Sequence, residues 1–298
     1  MNAPRFGQVI TAMVTPFDDA GALDLDAARD LARHLVASGS DALVVAGSTG
    51  EGSSLSDREK LDLFACVAEA VTEPVIAGST FANTRESMTL TAQVAATGAR
   101  GVLATTPAYA RPNQAGIAGH LGAIAESTPL PIMIYDIPSR TGRKIHAETT
   151  IALVEKYPNV VALKDASADL TCAAHVKAAL GDGLDLYSGD DAMTLAFMAV
   201  GALGVVSVAA HWAGPEFAAM VRAAAAGDWA SAQAMNEILA ASCVFAGSES
   251  YPNPMPSKAM MRLMGHAVGE CRLPHANGDA ALDARAGEVL AQLRSTRD

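Results

Sequence analysis

The chain has 298 residues, half of them apolar and 18% charged, with a formal net charge of −11. This composition argues against general disorder and supplies apolar material for one large core. The acidic balance, with no run of Lys/Arg anywhere, argues against nucleic acid as a partner and fits a soluble cytoplasmic protein; an anionic substrate would need only one or two local cations.

Met1–Gln8 lacks the basic-then-apolar pattern of a signal peptide, so none is expected. From there, short β-branched runs alternate with longer Ala/Leu-rich stretches of helical period. Strands are expected at Val9–Val14, Ala42–Val45, Val75–Ala77 and Gly101–Leu103, with helices between them at Ala27–Ala37, Asp57–Val71 and Thr84–Ala96. The pattern continues with helices at Gln114–Ser127, His146–Tyr157, Leu170–Leu180 and Asp191–Val200, separated by strands at Ile132–Tyr135, Val160–Leu163, Leu184–Tyr187 and Gly204–Val208. Eight strands joined by helical crossovers are parallel, and they can close into a (β/α)8 TIM barrel, which runs to about 250 residues as one unit. An open doubly wound sheet would carry a Gly-rich phosphate turn after its first strand, but that turn here is Thr15-Pro16-Phe17-Asp18.

Met193–Gly214 has no charged residue and invites comparison with a membrane span of about 20 residues. Gly201 and Gly204 divide it, so it reads as a buried helix, a turn and a buried strand. After Gly214 the pattern is helical only, at Pro215–Ala226, Trp229–Phe245, Ser257–Met264 and Ala280–Leu293. The expected organisation is a catalytic barrel over residues 1–227 and a C-terminal helical segment over residues 228–298. Cys66, Cys172, Cys243 and Cys271 show no CxxC spacing and read as free thiols in a reducing compartment.

In such a barrel the working groups sit at the C-terminal ends of the strands. Those ends carry Gly47-Ser48-Thr49-Gly50-Glu51-Gly52, Thr105-Thr106-Pro107-Ala108-Tyr109, Tyr135-Asp136-Ile137-Pro138-Ser139-Arg140-Thr141-Gly142, Lys164-Asp165 and Ser188-Gly189-Asp190-Asp191. Lys164 follows an apolar run that should be buried on both faces, and strand alternation allows only one of Lys164 and Asp165 to face the interior. An inward lysine loses hydration, its pKa falls, and the neutral amine can attack a ketone to form a Schiff base. The plain alternative is a strand-end lysine reaching solvent.

Tyr135 and Tyr109 lie at the same face by this register and could pass protons if Ser48 or Thr49 tunes them; the alternative is a core aromatic with a satisfied hydroxyl. Arg140 is a candidate carboxylate clamp or, more plainly, a loop arginine. Gly47–Gly52 fits the GxxxxG of a phosphate loop, but Ser53 stands where the lysine must be, which argues against nucleotide binding. No histidines are spaced as HxH or HExxH, so no metal is expected.

Ala12-Met-Val-Thr-Pro-Phe17, Gly47-Ser-Thr-Gly-Glu51, Tyr135-Asp-Ile-Pro-Ser-Arg-Thr-Gly142, Leu163-Lys-Asp-Ala166, Ser188-Gly-Asp-Asp191 and Pro252-Asn-Pro-Met-Pro256 occur in this order. Together they make the chain resemble, over essentially its whole length, the dihydrodipicolinate synthase / N-acetylneuraminate lyase family of pyruvate-dependent Schiff-base enzymes. The resemblance implies that Lys164 forms the pyruvate imine and that Tyr135 gives and takes protons, with Ser48 and Tyr109 completing a hydroxyl relay. Ser48 stands where many synthases carry threonine, which keeps the hydroxyl. Thr49 and the Val206 backbone would hold the pyruvate carboxylate and neighbouring atoms, Gly189 would join the substrate-binding groups, and Arg140 would meet the carboxylate of the second substrate. Tyr109 would reach into a neighbouring subunit's site. The family implies no cofactor and a homotetramer built from tight dimers.

The Tyr135–Gly142 stretch is more similar to the synthase branch, whose members condense pyruvate with L-aspartate-4-semialdehyde to 4-hydroxy-tetrahydrodipicolinate in lysine biosynthesis. The alternative is a related pyruvate-dependent lyase of the N-acetylneuraminate type, cleaving a sugar acid or another 2-keto acid. A non-catalytic sensor of small acids is disfavoured by the presence of both Lys164 and Tyr135. Members inhibited by lysine carry a tyrosine and an asparagine at the positions corresponding to Ala108 and Ala82, with Asn83 next door, so insensitivity to lysine is expected.

Overall fold

The computed structural model describes residues 4–80 and 82–297, so residues 1–3 of the Met1–Gln8 stretch lie outside the described residues. Strands β1 (Val9–Ala12), β2 (Ala42–Val45), β3 (Val75–Gly78), β4 (Gly101–Thr105), β5 (Ile132–Asp136), β6 (Val160–Asp165), β7 (Asp185–Ser188) and β8 (Gly204–Ser207) close a parallel barrel in sequence order. β8 returns to pair with β1, setting Val206 beside Ile10. Helices α1 (Leu25–Ala37), α2 (Asp57–Ala70), α3 (Thr84–Val94), α4 (Gln114–Glu126), α5 (Pro138–Thr141), α6 (Ala147–Lys156), α7 (Leu170–Leu180), α8 (Thr194–Ala199) and α9 (Ala210–Ala225) run in the connections and after β8. The chain ends with α10 (Trp229–Phe245), α11 (Met255–Leu263) and α12 (Ala280–Arg294).

Ile10, Val44, Ile76, Leu103, Met133, Ala162 and Tyr187 pack in the barrel's interior, while their neighbours Val9, Leu43, Val45, Val75, Val102, Ile134 and Leu186 join the shell between strands and helices. Burial on both faces is why the strands read as apolar runs without polar alternation. Local signals start the helices: Asp24 caps α1 through the Ala27 N–H, and Ser56 and Glu59 form a reciprocal capping box on α2.

Most sequence-based boundaries shift by one or two residues, and four differences matter more. β1 ends at Ala12, because the Val14 N–H turns from the sheet to His211 Nε2 at 3.1 Å. The helix expected at Asp191 begins with a 3₁₀ turn, and α8 proper starts at Thr194. α9 starts at Ala210, ahead of Pro215, through a non-helical kink at Ala213. α5 was not expected.

The segment from α10 onward is tied to the top of the barrel. Glu51 pairs with Lys258 at 2.8 Å with both side chains out of solvent, and it accepts the Arg272 backbone N–H at 2.7 Å. The Arg272 guanidinium donates to Gly21 O, Ser54 O and the Glu59 carboxylate. Among the described residues no helix is long and apolar enough to cross a membrane. The four cysteines are free thiols.

Candidate active site

β5 and β6 pair so that Tyr135 lies beside Lys164 and Asp136 beside Asp165. Alternation turns the first pair inward and the second outward. Asp165 accordingly accepts the Ser167 N–H on the outside at 2.8 Å, while Lys164 is buried with its ammonium 4.2 Å from the centroid of the Tyr135 ring. Burial pushes the Lys164 amine down to about 8; the nearby Asp191 carboxylate opposes this and the Arg140 guanidinium adds to it. Burial also raises the Tyr135 phenol above its ordinary value, with Arg140 and a hydrogen bond to Ser48 pulling the other way.

A cavity of about 380 Å³ opens at this end of the barrel, lined by Gly47, Ser48, Leu103, Thr105, Thr106, Ile137 and Arg140, with Ala82, Ala108 and His275 also on its wall. Lys164 and Tyr135 are not lining residues; Ser48 on the wall bonds to Tyr135, and the charge of Arg140, also on the wall, acts on both. Thr49 accepts a hydrogen bond from Asn253 Nδ2 at 2.9 Å. The Asn253 carbonyl accepts from Arg140 Nη2 at 3.1 Å. Asn253 thus joins the two groups expected to bind carboxylates, a role that its place in the Pro252–Pro256 motif did not disclose. Asp191 is a second addition: it is buried, it accepts the Val208 and Ala209 N–H groups at 3.1 and 2.8 Å, and burial raises its pKa.

Gly189 has a geometric reason to lack a side chain, since a Cβ there would sit 3.0 Å from Lys164 Cγ and 2.9 Å from Ala166 Cβ. Val206 is buried inside the barrel. Tyr109 departs from the register argument: β4 ends four residues earlier, Tyr109 takes φ 66°, and its side chain is 98% exposed. One chain therefore brings together Lys164, Tyr135, Ser48, Thr49 and Arg140, but not Tyr109. Among the described residues no group of three or more His, Cys, Asp or Glu is arranged to hold a metal ion.

A desolvated amine, a phenol against it and a guanidinium on an adjoining cavity suit imine chemistry on a small keto acid. A model of the Dihydrodipicolinate synthetase family matches residues 5–292. The chain belongs to that family. Among its dihydrodipicolinate synthetase relatives, the 4-hydroxy-tetrahydrodipicolinate synthase of Parasynechococcus marenigrum is 46% identical over 294 residues, covering 98% of this chain and 96% of the relative. The DHDPS of Cyanidioschyzon merolae, solved with lysine bound, superposes with a TM-score of 0.94 at 40% identity, covering 97% of this chain and 98% of that one. The chloride-inhibited dihydrodipicolinate synthase of Acinetobacter baumannii, complexed with pyruvate, gives a TM-score of 0.92 at 31% identity, with coverage of 97% and 99%.

Proposed function

We propose that the chain is a 4-hydroxy-tetrahydrodipicolinate synthase, a lyase of lysine biosynthesis that condenses pyruvate with L-aspartate-4-semialdehyde. The observation that carries this reading is the buried Lys164 amine, held down to about 8, against a Tyr135 that bonds to Ser48 on the wall of the cavity bearing Arg140. The neutral amine attacks the pyruvate ketone; Tyr135, bonded to Ser48, moves the protons that let water leave and the imine form. The iminium withdraws electrons, the pyruvate methyl loses a proton, and the enamine carbon attacks the semialdehyde carbonyl. The amine of the second substrate then adds to the imine carbon, closing the ring and expelling Lys164. Arg140 meets the second substrate's carboxylate in a two-pronged contact, and Thr49, Gly189 and the Val206 backbone bound the pyruvate half.

We further propose a homotetramer of tight dimers in the cytoplasm, in which the exposed Tyr109 of one copy completes the relay of its neighbour. Residues 1–227 form the catalytic barrel, and residues 228–298 are the appended segment that contributes Asn253. Product identification tests the activity: purified protein given pyruvate and aspartate semialdehyde should yield the cyclic dicarboxylate with no added metal. Cleavage of N-acetylneuraminate with no product from the semialdehyde would overturn the assignment. Borohydride with pyruvate should leave one reduced adduct, on the Lys164 peptide, and an unmodified Lys164 peptide would refute the imine.

A further inference from the structure

We infer that Asp136 is a positioning residue: from outside the barrel it closes the loop that carries Arg140, and so sets where that guanidinium meets the second substrate. The inference rests on the reading of Arg140 given above. Asp136 is the last residue of β5 and points away from the cavity, opposite in sense to Tyr135. Its two carboxylate oxygens hold the far end of the same loop. Oδ1 accepts the Ile145 N–H at 3.1 Å, and Oδ2 faces the Lys144 ammonium at 3.3 Å. The carbonyl of Asp136 accepts the Ala166 N–H at 2.8 Å, which fixes the base of the loop to β6 just past Lys164. Everything between, including α5 and Arg140, is therefore a closed ring of backbone whose two ends meet on one buried carboxylate.

Other groups around the clasp support this geometry. Lys144 also donates to Ser167 Oγ at 2.8 Å and lies 3.7 Å from the Asp169 carboxylate. Asp165 on β6 is the other charge acting on Asp136, and Cys172 on α7 adjoins Lys144. Burial pushes the Asp136 carboxyl up to about 6, in spite of the Ile145 N–H and Lys144. Its folded pKa thus lies above the unfolded one, and its ionised form weighs against folding above pH 6. A merely structural role would favour a neutral amide in this place, whereas a charged clasp has a use if it orients Arg140.

The test compares Asp136→Asn, Arg140→Ala and the double variant in steady-state turnover. Trapping of the pyruvate imine with cyanoborohydride reports the first half-reaction alone. A misplacement of about 1 Å can cost up to ~10²-fold, so partial release of the loop should raise the KM for aspartate semialdehyde roughly 3- to 10-fold. Asp136→Asn should leave imine trapping within about twofold and melting at pH 8 no lower than that of the unaltered protein. It should add nothing to Arg140→Ala. In the unaltered protein the semialdehyde KM should climb as pH falls through about 6, and in Asp136→Asn it should stay flat there. If Asp136→Asn does not fold, Lys144→Gln, at a side chain 26% exposed, should give the same KM rise. Trapping slowed as much as turnover, or additive effects with Arg140→Ala, would overturn the inference. An Arg140→Ala variant with unchanged KM would overturn the reading of Arg140 and this inference with it. A raised KM in Arg140→Ala but not in Asp136→Asn would sink this inference alone.

Discussion

Replacing Lys164 with methionine should destroy activity and stabilise the fold. The native amine falls from 10.5 to about 8 because burial disfavours its charge. At about 1.4 kcal/mol per pKa unit, keeping it charged at pH 7 costs the fold about 3 kcal/mol. Methionine fills a similar volume without charge, but it gives up the ammonium's contact with the Tyr135 ring, worth about 1 kcal/mol. The net gain for Lys164→Met at pH 7 is about 2 kcal/mol. Its sign with pH follows from linkage. The unfolded chain holds the proton more tightly, so the native protein gains stability as pH rises from about 8 towards 10.5, and the advantage of the variant shrinks. By pH 10 the electrostatic part should have fallen to about 1 kcal/mol, leaving little net difference. Urea unfolding of both proteins at pH 7 and pH 10 measures this. A variant no more stable than the native protein at pH 7, or an advantage undiminished at pH 10, would refute the argument that Lys164 is held partly deprotonated by burial.

Tyr135→Phe should lower kcat by about 10²–10⁴-fold, the usual worth of a positioned proton-transfer group; a steady-state assay showing full turnover would remove Tyr135 from the relay. Mixing Lys164→Ala protomers with Tyr109→Phe protomers should recover activity after subunit exchange, because some hybrid sites hold both groups; proven exchange without recovery would rule out the crossed arrangement. Millimolar L-lysine should leave activity nearly unchanged. Ala82 and Ala108, both on the cavity wall, supply neither an amide nor an aromatic ring, and two lost contacts of about 0.5–1.5 kcal/mol each weaken binding roughly tenfold or more. A dose-response curve with strong sub-millimolar inhibition would contradict this.

The barrel was legible because eight short apolar runs alternate with longer helical stretches, an order that admits few architectures. Lys164 was legible only in part from position, as a charge ending a run buried on both faces; that left a solvent-reaching lysine open, and the ordered motifs singled it out, with Tyr135 on the neighbouring strand. Periodicity fails where strands stop. Tyr109 lies four residues beyond β4 in a left-handed turn, so its direction is set by the loop and not by the pleat. α5 spans four residues behind Ile137, too short for any period to register. Pro215 looked like a helix start, but the kink at Ala213 lets α9 begin earlier. Asn253 acts through a contact with a residue 204 positions away, which no local pattern encodes.

The fastening of Glu51 bears on how the molecule is made. Its partners Lys258 and Arg272 lie more than 200 residues downstream; the backbone bond to Arg272 spans 221. A ribosome adding about 5–20 residues per second needs roughly 10 to 40 s to cover that interval. All eight strands emerge before these partners do. Until then the loop carrying Ser48 and Thr49 holds an unpaired carboxylate at a place the finished protein seals from water, an arrangement that favours an open loop. Every barrel strand is therefore synthesised before the partners that seal Glu51, and the loop bearing Ser48 and Thr49 can gain that seal only near the end of synthesis.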